Sequence, residues 1–192
     1  MVVVKTVLKS SSKYTVDHVH RIHKQLKRNI KIPFKFVCYS DVQFQLDGEI
    51  RPLIHFWPGY WSKIEMFRDI EESFYIDLDM TVSEDITDIV ARKSRFCALR
   101  NMTPRIPGIG SALMKWETAH QNLYEIFRDN PRMHMEKNAF MGTAYLGDQG
   151  FIYRHTENIE LFQDLFPGRI QRFDENKGAS ITVYYGNHKP WK

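Results

Sequence analysis

Cysteine is scarce in this chain of 192 residues: Cys38 and Cys97 are the only two. Both lie in strand-like apolar runs, which argues against a disulfide framework or a cysteine metal site and reads as buried thiols of a cytoplasmic protein. No stretch reaches the roughly 18 consecutive apolar residues of a membrane-spanning helix. The opening Met1-Val2-Val3-Val4-Lys5 is too short for a signal peptide and lacks its charged start. Internal repeats and low-complexity segments are also missing. Glycine is absent from Lys9-Ser10-Ser11-Ser12-Lys13, the loop that follows the first apolar run. A phosphate loop at that place needs glycine, because backbone N–H groups must come close to the phosphates.

What is present suits one globular domain with a full core. Hydrophobic residues make up 43% and charged residues 26%, ordinary values for a folded protein of this length. Charge is unevenly distributed. Residues 1–35 carry nine Lys or Arg against the single acid Asp17, while the remainder is net negative, so the overall +4 comes from the N-terminal segment. Such a segment suits a polyanionic partner or a phosphate-bearing ligand; a solvated helix face is the equally good alternative.

The pattern predicts a strand at Val2–Leu8, a helix from Thr15 to Arg28 and a second strand at Phe34–Tyr39. The helix has an apolar stripe of Val16, Val19, Ile22 and Leu26, Thr15 as N-cap and Asp17 in its first turn. Strand, helix, strand is the signature of a parallel α/β unit. Trp61, Ile64 and Phe67 mark a short helix before a strand at Phe74–Leu78. Further expectations are a short helix at Asp85–Val90, a strand at Phe96–Leu99, a loop at Pro104–Gly110, a helix near Thr118–Arg128 and a strand at Ile181–Tyr185. Ligands of open α/β sheets lie beyond the carboxyl ends of the strands. Asp41, Asp79 and the Lys9–Tyr14 loop fall at such ends.

Phe74-Tyr75-Ile76-Asp77-Leu78-Asp79-Met80 is the most informative stretch. Two carboxylates stand two residues apart in an apolar run, so a strand would point both to one face. Like charges in a core strand are costly unless neutralised. A hard divalent cation, Mg²⁺ or Mn²⁺, sharing the carboxylates with diphosphate oxygens, is an economical neutraliser. An acidic pair at a sheet edge, facing water, is the alternative.

Five segments occur in a telling order: Trp61-Ser62-Lys63-Ile64-Glu65-Met66-Phe67, Tyr75-Ile76-Asp77-Leu78-Asp79, Gly110-Ser111-Ala112-Leu113-Met114, Gly147-Asp148-Gln149 and Gly186-Asn187-His188-Lys189-Pro190-Trp191. In this the chain, from Val2 to Trp191, resembles GT-A fold glycosyltransferases, especially glycosyltransferase family 8 (glycogenin-like) and small phage and bacterial relatives. The resemblance implies an α/β fold, a Rossmann-like mixed sheet flanked by helices. It implies a single domain over residues 1–192, with a nucleotide-binding half of about 1–100 and an acceptor and sugar half of about 101–192. It also implies a retaining, metal-dependent transferase with a nucleotide-sugar donor, a UDP-sugar foremost. The place of action is the cytoplasm, the host's cytoplasm if a phage encodes the chain.

By the same resemblance, Asp77 and Asp79 are metal ligands, and a bound dication stabilises the departing diphosphate. Lys63 faces the donor, although a solvated helix lysine reads the same way. Asp148 and Gln149 lie beside the reacting sugar, where a carboxylate orients hydroxyls or stabilises an oxocarbenium-like transition state; a turn aspartate after Gly147 is the plain alternative. Ser111 is placed near the sugar, and Ser11, Tyr14 and Asp41 near the nucleotide; Tyr14 reads equally as a core aromatic and Asp41 as a helix cap. Catalysis is thereby assigned to Lys63, Asp79, Asp148 and Lys189.

The tail departs from the family pattern His-x-x-Gly-x-x-Lys-Pro-Trp. Gly186, Lys189, Pro190 and Trp191 match, but Val183 stands where the family has a metal-binding histidine. His188 is the candidate substitute as third ligand, and Lys189 the diphosphate clamp. His18, His20 and His23 read as surface or interface residues of the first helix. Competing readings are a sugar nucleotidyltransferase, marked down by the missing glycines, and a non-catalytic module that binds sugar or nucleic acid. The acceptor is open between modified DNA, protein and carbohydrate; no recognised DNA-binding motif occurs.

Overall fold

The computed structural model describes residues 1–11, 13–101, 108–117, 120–139, 147–175 and 178–191. Residues 104–107 of the expected loop and the expected start of a helix at Thr118 lie outside them. The chain opens β1 (Val2–Leu8), α1 (Val16–Asn29), β2 (Phe34–Ser40), β3 (Glu49–Pro52), then a 3₁₀ helix at Gly59–Arg68. It continues β4 (Ser73–Ile76), β5 (Thr81–Val82), α2 (Thr87–Ala91), β6 (Cys97–Arg100), β7 (Ile109–Trp116), α3 (Gln121–Asp129), α4 (Pro131–Ala139) and α5 (Gly147–Arg154). Last come β8 (Glu160–Leu161), α6 (Phe162–Leu165), β9 (Ile170–Arg172) and β10 (Ile181–Val183).

The main sheet has seven strands in the order β3-β2-β1-β4-β7-β6-β8. β1 pairs in parallel with β2 and β4, as the expected strand–helix–strand unit requires, while β7 runs antiparallel to both β4 and β6. The sheet is therefore mixed. Alternation assigns its two faces. Val2, Val4, Leu8, Phe36, Cys38, Phe74 and Ile76 pack under α1 and α2, against Val19, Ile22, Leu26, Ile89 and Val90. Val3, Val37, Tyr39, Tyr75, Met114 and Trp116 pack on the other side against Trp61, Ile64 and Phe67 of the 3₁₀ helix, Phe127 of α3 and Phe151 of α5. Both cysteines are buried and free, one on each of two core strands.

A second sheet of three strands, β5-β10-β9, is the element that makes the site. β10 pairs antiparallel with β5, Ile181 opposite Val82 and Thr182 opposite Thr81. Since β5 begins two residues after Asp79, this pairing fastens the C-terminal tail beside the acidic pair.

Three expectations need correction. β4 ends at Ile76, so Asp77 and Asp79 lie on a turn past the strand rather than within it. The turn is closed by the Met80 N–H donating to the Asp77 carbonyl at 3.3 Å, and it lets both carboxylates face a cleft instead of a packed core. The expected loop gives way at Ile109 to an eight-residue strand, β7, whose Gly110 lies 3.2 Å (as an added Cβ) from Leu99 Cβ and so passes close to β6. Among the α1 histidines, only His20 is exposed; His23 is buried, with its ring stacked 4.2 Å from that of Phe36, and His18 packs on the tail.

Candidate active site

Two adjoining hollows of about 470 and 370 Å³ form one cleft at the carboxyl ends of β1 and β4, with Tyr14, Tyr60, Lys63, Asp77 and Asp79 lining both. Val7, Lys9, Ser10 and Ser11 bound the first; Ser111, Asp148, Gln149, Gly186 and Lys189 bound the second. Of the residues named from the sequence, all but Asp41 and His188 line this cleft.

Its centre is a chain of ion pairs. Lys63, on the buried side of the 3₁₀ helix and 5% exposed, lies 3.1 Å from Asp77 Oδ1 and 3.2 Å from Asp148 Oδ2. Its Nζ also donates to the Ser111 carbonyl at 3.3 Å and to Ser111 Oγ at 3.2 Å. Ser111 Oγ donates in turn to Asp148 Oδ2 at 2.6 Å. Burial alone would lower the lysine's pKa, but Asp148 and Asp77 outweigh it and raise the value. This lysine is a permanent cation, not a solvated helix residue.

Asp77 also accepts the Tyr75 hydroxyl. Its carboxyl is pushed up to about 6 by burial, with Asp79 and Asp148 adding to the rise against the pull of Lys63. Asp79 has a different escort: Oδ2 accepts the Tyr14 hydroxyl at 2.7 Å and pairs with Lys189 of the tail. Burial first, then Asp79, drives the Tyr14 phenol far above its ordinary pKa, so it remains a donor. Tyr14 thus lines the cleft and donates to one of its paired carboxylates. Lys189 reaches Asp79 because Gly186, at φ +58°, turns the chain back after β10. Only glycine adopts that conformation without strain.

Four N–H groups of the Lys9–Tyr14 loop are already bonded. Ser10 donates to Asp41 Oδ1 at 2.8 Å, Ser11 to the Tyr14 carbonyl at 3.2 Å, and Lys13 and Tyr14 both to Ser11 Oγ at 3.2 Å. Asp41 also pairs with Lys9 at 3.1 Å. Partial burial pushes its carboxyl up, but the Ser10 N–H and Lys9 hold it below the usual range. Asp41 braces the loop from behind. Glu65, fully buried on the 3₁₀ helix that carries Lys63, accepts the N–H groups of Ile54 at 2.7 Å and His55 at 3.0 Å.

The structure does not bring His188 to the carboxylate pair. Its ring is exposed and stacks 4.5 Å from Phe173. Among the described residues no three His, Cys, Asp or Glu side chains gather as a metal site.

Sequence reasoning missed a polar stripe on α1. Arg21 donates through Nη2 to the carbonyls of Leu78 and, at 2.9 Å, Met80. Gln25 Oε1 accepts the Val82 N–H at 2.9 Å, and Asn29 Nδ2 donates to the Val82 carbonyl at 3.1 Å. Tyr14, His18, Arg21, Gln25 and Asn29 recur at helical spacing, and that periodicity is the one signal available in advance. Nothing in it says that the stripe faces backbone rather than water.

No protein-family model matches the sequence, and no curated protein does. Solved structures do match its shape. The glycosyltransferase GlyE of Streptococcus pneumoniae TIGR4 superposes with a TM-score of 0.69 at 15% identity, over 100% of this chain and 56% of that one. The galactosyltransferase LgtC, solved with donor and acceptor sugar analogues, superposes with a TM-score of 0.70 at 12% identity, over 100% of this chain and 90% of that one. The fold is that of the GT-A glycosyltransferases. This chain spans little more than half the length of GlyE, and its GT-A sheet carries the cleft where the strand ends and the tail meet. No helix among the described residues is long and apolar enough to cross a membrane.

Proposed function

We propose that this chain is a glycosyltransferase that uses a nucleotide sugar, a UDP-sugar foremost, and Mn²⁺ or Mg²⁺. The observation that carries the reading is the convergence of Lys63, Asp77, Asp79, Ser111, Asp148 and Lys189, from separate elements, on one cleft of a GT-A fold. Retention of configuration follows the resemblance to family 8, and no side chain is assigned as nucleophile.

The residues present fit a hard dication. Asp77, Asp79 and Asp148 outnumber Lys63 and Lys189, and the Asp77 carboxyl, raised first by burial and then by Asp79 and Asp148, carries charge that a dication would neutralise. Asp77 and Asp79 would hold the metal. With His188 turned to Phe173, diphosphate oxygens and water would complete its coordination. Bound there, it supplies positive charge to a departing nucleoside diphosphate.

The chain's own groups supply the rest. Lys189, held beside Asp79, would reach the diphosphate and stabilise the negative charge that grows on it as its bond to the sugar breaks. Lys63 and Ser111 fix Asp148 Oδ2, leaving its other oxygen to orient a sugar hydroxyl or face an oxocarbenium-like centre, with Gln149 alongside. Ser11 and Tyr14 bound the nucleotide end, and Asp41 holds its loop. In this division residues up to about 100, joined by Lys189 of the tail, bind the nucleotide, and the other later residues the sugar and acceptor. The acceptor stands open between DNA, protein and carbohydrate.

A nucleotidyltransferase is disfavoured by the Lys9–Tyr14 loop, whose bonded N–H groups have none to offer a phosphate at Ser10, Ser11, Lys13 or Tyr14. A non-catalytic module is disfavoured by the intact set of paired lysines and carboxylates. A mass-spectrometric or thermal-shift screen of nucleotide sugars, with and without Mn²⁺, tests the reading. Metal-dependent stabilisation by at least one donor is expected; no response to any donor would refute it.

A further inference from the structure

Arg21 has no place in the family motifs, yet it touches both halves of the site. Its guanidinium bridges the carbonyls of Leu78 and Met80, the residues on either side of Asp79. Its Nε is buried and has no hydrogen-bond partner among the described residues. Its Cζ lies 5.3 Å from the centre of the Trp191 ring, two residues beyond Lys189. His18, one turn earlier on α1, lies against the same ring at 3.8 Å, tilted by 36°, and Tyr14 meets it edge-on at 6.0 Å. The Thr15 N–H donates to His18 Nδ1 at 2.9 Å and fixes that imidazole in place. Tyr14, just ahead of α1, and His18 and Arg21 on one of its faces thus form a socket, and the tail's last aromatic sits in it.

We propose that Arg21 is a positioning residue: it seats Trp191 against α1 while clamping the carbonyls that flank Asp79, and so sets Lys189 over Asp79. A planar guanidinium donates from its edge to carbonyls and offers its face to an indole, which an ammonium group cannot do together. The desolvated Nε–H, without an acceptor, is consistent with a side chain held for its face as much as for its donors. The consequence for donor binding rests on the function proposed above; the seating of the tail does not.

The test uses the full chain labelled with 5-fluorotryptophan and read by fluorine NMR without any ligand. Trp57, Trp61 and Trp116 are buried, so their signals report the intact fold, and Trp191→Phe assigns the fourth. In Arg21→Met the Trp191 signal is expected to move to the position of a solvated indole while the other three stay. Arg21→Lys should behave like Arg21→Met. A Trp191 signal unmoved in both variants overturns the proposal. UDP with Mn²⁺ is then titrated into Arg21→Met, Lys189→Ala and the double variant. Each single change is expected to weaken binding about tenfold, and the double no more than the worse single, because both remove the same seated lysine. Losses that multiply to about a hundredfold overturn the coupling. Failure of the unaltered chain to bind UDP would count against the donor assignment, while the NMR arm still judges the seating.

Discussion

At the residue scale, Asp77 and Asp79 are neutralised by different lysines from distant parts of the chain, Lys63 and Lys189. A proton on Asp77 would compete with a metal, and burial pushes its carboxyl up to about 6. Mn²⁺ affinity is therefore expected to be full above that pH and to fall as pH drops through it, measured by calorimetry from pH 5 to pH 7.5. A flat profile would contradict the assignment of Asp77 as ligand. Lys5 makes a separate test of the core. It is fully buried, bonded to the Met66 carbonyl at 3.2 Å and 3.5 Å from Glu71, and burial lowers its pKa to about 8, against the opposing pull of Asp69 and Glu71. The folded state thus holds fewer protons than the unfolded chain between about 8 and 10.5, so stability should rise with pH in that window, by about 3 kcal/mol at most. Urea midpoints at pH 7.5 and 9.5 should show a larger gain for the unaltered chain than for Lys5→Met; equal gains would contradict it. The chemistry-bearing residues were legible because charge in an apolar run is conspicuous. Arg21, Gln25 and Asn29 were not, because polar residues on a helix read as solvated until the backbone opposite them is known.

At the scale of elements, the apolar stripe of α1 and the alternation in β1, β2 and β4 were readable from periodicity, since each buries one face. The end of β4 was not: Asp77 and Asp79 keep the two-residue alternation of a strand although the backbone has already turned. Nor was β7, whose first residues follow a stretch with the composition of a loop, or the β5–β10 pairing, which joins segments about 100 residues apart. That pairing makes the turn at Gly186 decisive. Nothing lies within 4 Å of a Cβ placed there, so a substitution meets only backbone strain at φ +58°, about 1–2 kcal/mol for an ordinary side chain. Gly186→Val should weaken UDP binding while leaving the melting temperature within a few degrees, and Gly186→Asn should be better tolerated. Identical UDP affinity in all three proteins would show that the turn does not place Lys189.

At the scale of the whole molecule, the basic N-terminal segment proves less available than its count suggests. Lys5 pairs with Glu71, Lys9 with Asp41, Lys27 with Asp47 and Lys35 with Glu49, and Arg21 is engaged with backbone. A polyanion would have to displace these acids. Binding of duplex or single-stranded DNA, followed by fluorescence anisotropy across salt concentrations, is therefore expected to be weak, with a log–log salt slope of about −2 or shallower. A steep slope would favour nucleic acid over protein and carbohydrate as the acceptor. The central claim is that the cleft turns over a nucleotide sugar with a metal held by the acidic pair. Release of nucleoside diphosphate from a panel of UDP-sugars, by the unaltered chain and by Asp79→Asn, tests it most directly. The expected result is release that stops in EDTA, returns with Mn²⁺ and is lost in a normally folded Asp79→Asn; full turnover in metal-free buffer, or by Asp79→Asn, would contradict it.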